Sequence, residues 1–121
     1  VTVIYKPAPK VLPLIASIEV TNADVVITFE GGEYLRLVDL PTCCESRYFF
    51  TDDDLGKAKG CSLVDITVRD VVQVGERNNY TELEATFILI KTSGGTFVIN
   101  AYNEHNGAYS GFNVEVEYGQ S

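Results

Sequence analysis

Apolar and polar residues alternate with a period of two over most of this chain, the signature of strands with one face buried, and the clearest interruptions fall at glycines. In "ITFEGGEYLRL" the pair Gly31-Gly32 separates two alternating runs, and glycine readily takes the positive φ angles that a two-residue hairpin turn demands. Val25, Ile27 and Phe29 then share one face of the first run. In "ELEATFILIKTSGGTFVINAY" the device recurs around Ser93 to Gly95, which predicts a hairpin with Leu83, Ala85, Phe87 and Leu89 on one face and Phe97, Ile99 and Ala101 pairing with them. The most regular amphipathic strand is "GFNVEVEY": Phe112, Val114, Val116 and Tyr118 point one way, while Asn113, Glu115 and Glu117 point to water.

The remaining segments fit the same architecture. "SLVDITVRDVVQV" is dense enough in β-branched residues for one long strand or two short ones. "TDDDLGKAKG" holds the one plausible helical turn, capped by Thr51 or Asp52 and ended by a glycine. "YKPAPKVLP" contains three prolines, which remove ladder donors, so residues 1–13 are read as an extended arm or an edge that could reach a neighbouring subunit. The expectation is a mainly β fold (all-β or α+β), a single antiparallel sheet or small sandwich with at most one short helix. One β-rich domain would span residues 14–121, and no internal repeat or low-complexity block divides it.

Composition supports a folded domain and narrows its partners. A chain of 121 residues has room for one ordinary core, and 45% hydrophobic against 21% charged residues is too apolar for disorder. A net charge of −8 repels phosphate backbones and anionic lipid, and the only close basic pair is Lys57 and Lys59, so neither nucleic acid nor membrane is an expected partner. Cys43, Cys44 and Cys61 give an odd count whose adjacent pair cannot easily bridge, which suggests a reducing compartment. No apolar run reaches the ~18 residues of a membrane span, and "VLPLIASIEV" is too interrupted for a secretory core. A start at Val1 with no methionine anywhere is consistent with a removed initiator or a trimmed fragment.

Candidate chemistry is sparse. Cys43 or Cys44 in "PTCCES" could act as a nucleophile or metal ligand, but neighbouring side chains on a strand point to opposite faces, and cysteine commonly serves as small apolar filler. Zinc held by Cys43 or Cys44 with Cys61 and His105 lacks any CxxC or HxxxH element. Calcium is disfavoured because the acids of "TDDDLGK" are consecutive and no downstream glutamate follows at loop spacing. A Cys–His hydrolase has no motif to support it, so no cofactor, metal or catalytic set is assigned. The remaining concentration of polar groups is "NEHNGAYSGF". Asn103, Asn106 and Gly107 suit a turn, Tyr109 and Phe112 could anchor it, and so many donors and acceptors on one connection, His105 and Ser110 among them, could form a recognition surface. The tentative binding set is therefore Cys43, Cys44, Glu45, Asn103, His105, Asn106, Gly107, Tyr109 and Ser110.

"CCES", "TFILIKTSGGTFVI" and "NEHNGAYSGF" together resemble an uncharacterised group of small bacteriophage proteins, marked by a Cys-Cys-Glu motif and an Asn-Gly-x-Tyr-Ser loop, over roughly Val25 to Val116. The matching positions include Cys43, Cys44, Glu45, Thr92, Gly95, Asn106, Gly107, Tyr109 and Ser110. Ala108 stands where the group has a tyrosine, and His105 where it has a small polar residue. The resemblance implies a phage setting, in the host cytoplasm or the virion, and supplies no activity. Two functions follow as expectations. The first is a non-enzymatic protein-interaction or structural accessory protein that binds another protein or self-assembles through its arm or an edge strand. The alternative is a small-ligand binder or enzyme acting against a host defence signal.

Overall fold

A computed structural model of the chain describes residues 2–7, 11–40, 46–69, 72–78, 81–105 and 111–120. Among these, ten strands run in the order β1 (Thr2–Tyr5), β2 (Ile15–Val20), β3 (Asp24–Phe29), β4 (Glu33–Asp39), β5 (Ser46–Phe50), β6 (Leu63–Val68), β7 (Val72–Asn78), β8 (Thr81–Thr92), β9 (Gly95–His105) and β10 (Val114–Gln120). All described pairings are antiparallel. The larger sheet has the order β1-β6-β8-β9-β5, with β7 also on β8, and the smaller has the order β10-β4-β3-β2. The "SLVDITVRDVVQV" segment is two strands: β6 pairs with Ile88 to Thr92 and β7 with Thr81 to Ala85, so they lie end to end along one side of β8.

The two sheets pack face to face. Ile15, Val25, Ile27, Phe29, Leu35 and Leu37 from the small sheet join Phe49, Ile66, Ile88, Ile90, Ile99 and Ala101 from the large one in a single buried cluster. Alternation along each strand delivers these residues to the space between the sheets and leaves their neighbours outside. The Val25, Ile27 and Phe29 face is inward as expected, with exposures of 0%, 0% and 1%.

Loop length decides which face of β8 joins that core. Thr92 pairs with Gly95, so only Ser93 and Gly94 make the turn, and Ile88 then lies opposite Ile99 and Ile90 opposite Phe97. A three-residue turn over Ser93 to Gly95 would have shifted the pairing by one residue and placed Leu83, Phe87 and Leu89 beside Phe97 and Ile99. A one-residue shift exchanges the faces of the strand. The observed core face is thus Thr86, Ile88 and Ile90, whereas the predicted face lies on the outer side, with Leu83, Phe87 and Leu89 half-buried there and Ala85 buried. The turn is held by Thr92, whose hydroxyl donates to the Gly95 carbonyl at 2.7 Å and accepts from the Gly94 N–H at 3.2 Å. The β3–β4 connection departs in the opposite sense: Glu30, Gly31 and Gly32 separate the strands, one residue more than expected, with φ of 98° and 93° at the glycines.

Two smaller corrections concern ends of elements, and the N-terminal segment takes the edge position read for it. The helical turn is 3-10, Leu55–Ala58, and its cap is Asp54 rather than Thr51 or Asp52, the Asp54 side chain accepting from the Gly56 N–H at 3.1 Å. Thr51 instead donates to the Val98 carbonyl. In β10 the inward alternation stops at Val116, because Tyr118 is 55% exposed and its hydroxyl donates to Glu33 at 2.6 Å. At the N-terminus, β1 pairs with β6 as an edge of the large sheet.

On the outer face of the small sheet, Arg36 joins Asp24 at 2.8 Å and Glu117 at 3.2 Å. The Arg36 guanidinium, and then the Thr21 hydroxyl, hold the Asp24 carboxyl below its ordinary value of 3.8. A carboxyl depressed in the folded state stabilises above its unfolded value, and that contribution is lost as pH falls through the folded value. With Arg36 39% exposed, the effect is small. Asp24→Asn is expected to cost under about 1 kcal/mol at neutral pH in urea unfolding, and the gap from wild type should close as the pH is taken below 3.8.

Candidate functional site

Where β9 finishes, the inward positions turn polar. Asn103 lies across from Glu84 on β8 and from Arg47 on β5, and His105 lies across from Glu82, so these side chains continue the core face past Thr86 and Ala101. They are buried: Asn103 is 0%, His105 3% and Glu84 9% exposed. The Glu84 carboxylate is 2.6 Å from His105 Nε2 and accepts the Gly111 N–H at 3.0 Å. The Asn103 amide donates to the Gly111 carbonyl at 2.9 Å, so two strand side chains hold both polar backbone groups of the residue that leads towards β10. Gly111 has φ of 93°, a conformation that favours glycine.

A second buried pair completes this layer. Arg47 Nη1 donates to Asp39 Oδ1 at 2.8 Å, with 7% and 3% of the two side chains exposed. The same Asp39 oxygen accepts the Asn113 N–H at 2.7 Å, and the Leu40 N–H donates to the Asn113 carbonyl. Asp39 therefore ties β5 in the large sheet to the β4–β10 edge of the small one. Charges taken out of water cost several kcal/mol unless paired and hydrogen-bonded, and here the pairing crosses between sheets.

This arrangement suits a structural role better than a catalytic one. A general base has to come within hydrogen-bonding reach of a substrate proton, whereas the His105 ring has no exposed surface and its Nε2 meets Glu84. Asn103 and His105, expected on a solvent-facing connection, are instead strand residues facing the interior. The other proposed binding residues, Cys43, Cys44, Glu45, Asn106, Gly107, Tyr109 and Ser110, lie outside the described residues. The described residues flanking those two segments do converge, since Asp39, Arg47, Asn103 and Gly111 belong to one layer. Cys61 is far away, beside the Ser93-Gly94 turn, where a Cβ on Gly94 would fall 2.6 Å from its sulfur. That turn and His105 are at opposite ends of the β8–β9 hairpin, so Cys61 and His105 cannot share a metal.

The outer face of the large sheet has the opposite character. Phe87, Leu89 and Val98 occupy its middle, half-buried, and Phe50 at the β5 edge is 49% exposed. Tyr48 and Tyr102 stack with ring centroids 5.1 Å apart and planes at 26°. Their hydroxyls are engaged at the surface: Tyr48 donates to Glu104 at 3.1 Å, and Tyr102 accepts from the Asn100 amide at 3.1 Å. An open groove of about 750 Å³ runs along this edge, with Tyr48, Phe50, Leu83, Tyr102, Ser46 and Asn22 in its lining. β5 is the outermost strand on this side, and the Asn22 carbonyl closes part of its free edge by accepting the Phe49 N–H at 3.2 Å.

Sequence reasoning missed Tyr48, Phe50 and Tyr102 as surface residues and Asp39, Arg47 and Glu84 as buried partners. A signal existed for Glu84: in "ELEATFILI" the positions sharing its face are Glu82, Thr86, Ile88 and Ile90, a polar-to-apolar gradient along one side of a strand. A family model described as a domain of unknown function, DUF7448, matches residues 3–116. No curated protein and no solved structure matches the chain.

Proposed function

We propose that this chain, which belongs to the DUF7448 family of domains of unknown function, is a non-enzymatic protein-interaction module that works through the outer face of its larger sheet. The observation that carries this reading is the apolar side of β8, Leu83, Phe87 and Leu89, left outside the core and continued by Val98, Tyr102, Tyr48 and Phe50. Contiguous apolar surface rimmed by polar groups marks interaction sites in otherwise well-packed domains, and tyrosine and phenylalanine are the residues that contribute most at such surfaces. The buried polar layer supports the same division of labour, because its charges meet one another and tie the sheets together. The resemblance to small bacteriophage proteins gives the setting of the proposal: a phage-encoded accessory protein, in the virion or the host cytoplasm, with a protein as its partner.

The test is site-directed photo-cross-linking in phage-producing cells, with the reactive residue at Phe50 or, as control, at exposed Glu19 on the small sheet. The expected result is a discrete adduct from Phe50 and none from Glu19. The adduct's partner, once purified, should form a stoichiometric complex with the wild-type chain, and Phe50→Asp should weaken that complex at least about tenfold, as loss of a central aromatic contact does. Equal cross-linking from both positions, or a complex indifferent to Phe50→Asp, would overturn the reading.

A further inference from the structure

From the charges around this face we infer the chemistry of what it binds: an extended segment of another protein in which aromatic or aliphatic residues alternate with lysine or arginine. The inference rests on the reading of the outer face as a docking surface and adds the identity of its occupant. Three features of the face select it.

The first is charge. Asp52, Asp53 and Asp54 follow Phe50, the last residue of β5, after Thr51 and are exposed, with Asp54 capping the 3-10 turn. Asp53 is fixed there, its carboxylate accepting the Val98 N–H at 2.7 Å, and Thr51 bonds the carbonyl of the same residue. At the other end Glu104 lies across from Ser46 and is held by the Tyr48 hydroxyl. Acids therefore lie at both ends of the Tyr48, Phe50 and Tyr102 strip, while Lys91 lies beyond Leu89 on the β8 side of the face and Arg47, which also lines the groove, is paired with Asp39, on a chain whose net charge is −8. A second copy of the chain would bring like charge against like, which argues for a basic partner over self-association.

The second feature is shape. Tyr48 and Phe50 are two residues apart on β5, with Tyr102 directly across from Tyr48 and stacked on it, so the Tyr pair and Phe50 repeat at the two-residue spacing of a strand and match alternate side chains of an extended peptide. The third is the chemistry of the rings. Tyrosine faces attract cations, and the electron-rich stack beside Glu104 offers a place for a guanidinium or ammonium group as well as for apolar contact.

The experiment titrates the full chain with a synthetic extended peptide of alternating phenylalanine or valine and lysine, followed by amide and aromatic NMR shifts. Controls are a counterpart with every lysine replaced by glutamate and one with every apolar residue replaced by serine. Binding is expected only for the first peptide, with shifts centred on Tyr48, Phe50 and Tyr102. Asp52→Asn combined with Glu104→Gln should weaken it about three- to tenfold, the size of two partly exposed charge contacts, with fold stability unchanged. Raising salt should weaken it as well. Equal binding of the glutamate peptide, or shifts centred elsewhere, would overturn the inference. If the Phe50 cross-linking of the preceding section succeeds while the lysine peptide does not bind, the face stands and the proposed chemistry of its occupant fails. If concentration-dependent self-association consumes the face instead, the basic segment is likewise refuted.

Discussion

Asp39→Ala is expected to destabilise the protein by about 3–5 kcal/mol, because it removes a carboxylate that the buried Arg47 guanidinium bonds. Asp39 receives Arg47 at 2.8 Å and the Asn113 N–H at 2.7 Å, and only 3% of its side chain is exposed. Removing it also withdraws an acceptor from the backbone N–H that opens the approach to β10. Equilibrium urea unfolding measures the loss. Asp39→Ala combined with Arg47→Met should recover a substantial part of it, since exchanging both members of a buried ion pair for apolar groups is far less costly than removing one. A single-variant loss under about 1 kcal/mol, in the range of an exposed pair, would mean that Asp39 and Arg47 do not join the sheets as described.

The second large effect concerns the face of β8. Ile88→Ala is expected to cost about 2–5 kcal/mol, the range for truncating a fully buried aliphatic side chain and leaving a cavity. Ile88 is 0% exposed, whereas Leu89, the next residue, is half-buried on the outer face. Leu89→Ala should therefore cost about 1 kcal/mol or less. Thermal or urea unfolding of the two variants side by side reads the difference directly. Comparable losses would show that the strand buries both faces equally, and a larger loss for Leu89→Ala would invert it.

That pair of residues also marks where the sequence was and was not legible. The mainly β class, the two hairpins and the inward Val25, Ile27 and Phe29 face followed from alternation interrupted by glycines, because a period of two and a turn are both local properties. The face of β8 was not local. "FILI" is apolar on both sides, and the parity was set by whether the turn after Thr92 contains two or three residues. A small difference in turn geometry thus moved Leu83, Phe87 and Leu89 from the predicted core to the surface. The number of sheets was similarly open, since β10 pairs with β4 across more than seventy residues of intervening chain, and no short-range pattern records that contact.

The site was legible only in part, for a related reason. Asn103 and His105 drew attention as polar residues near glycines, and both lie in the buried polar layer. The pattern did not show that β9 continues through both, because alternation with Ala101 becomes visible as a buried face only once Glu84 and Arg47 lie opposite. Tyr48, Phe50 and Tyr102 read as ordinary strand aromatics in sequence, and it is their placement on the outer side, beside an acidic run, that distinguishes them.

The most direct test of the account is the pattern of methyl and aromatic NOEs from β8. Ile88 and Ile90 are expected to contact side chains of the small sheet such as Ile27 and Leu37, while Phe87 and Leu89 contact only neighbours on their own sheet, among them Val98. NOEs from Phe87 or Leu89 to the small sheet would contradict it and remove the proposed docking face together with the core.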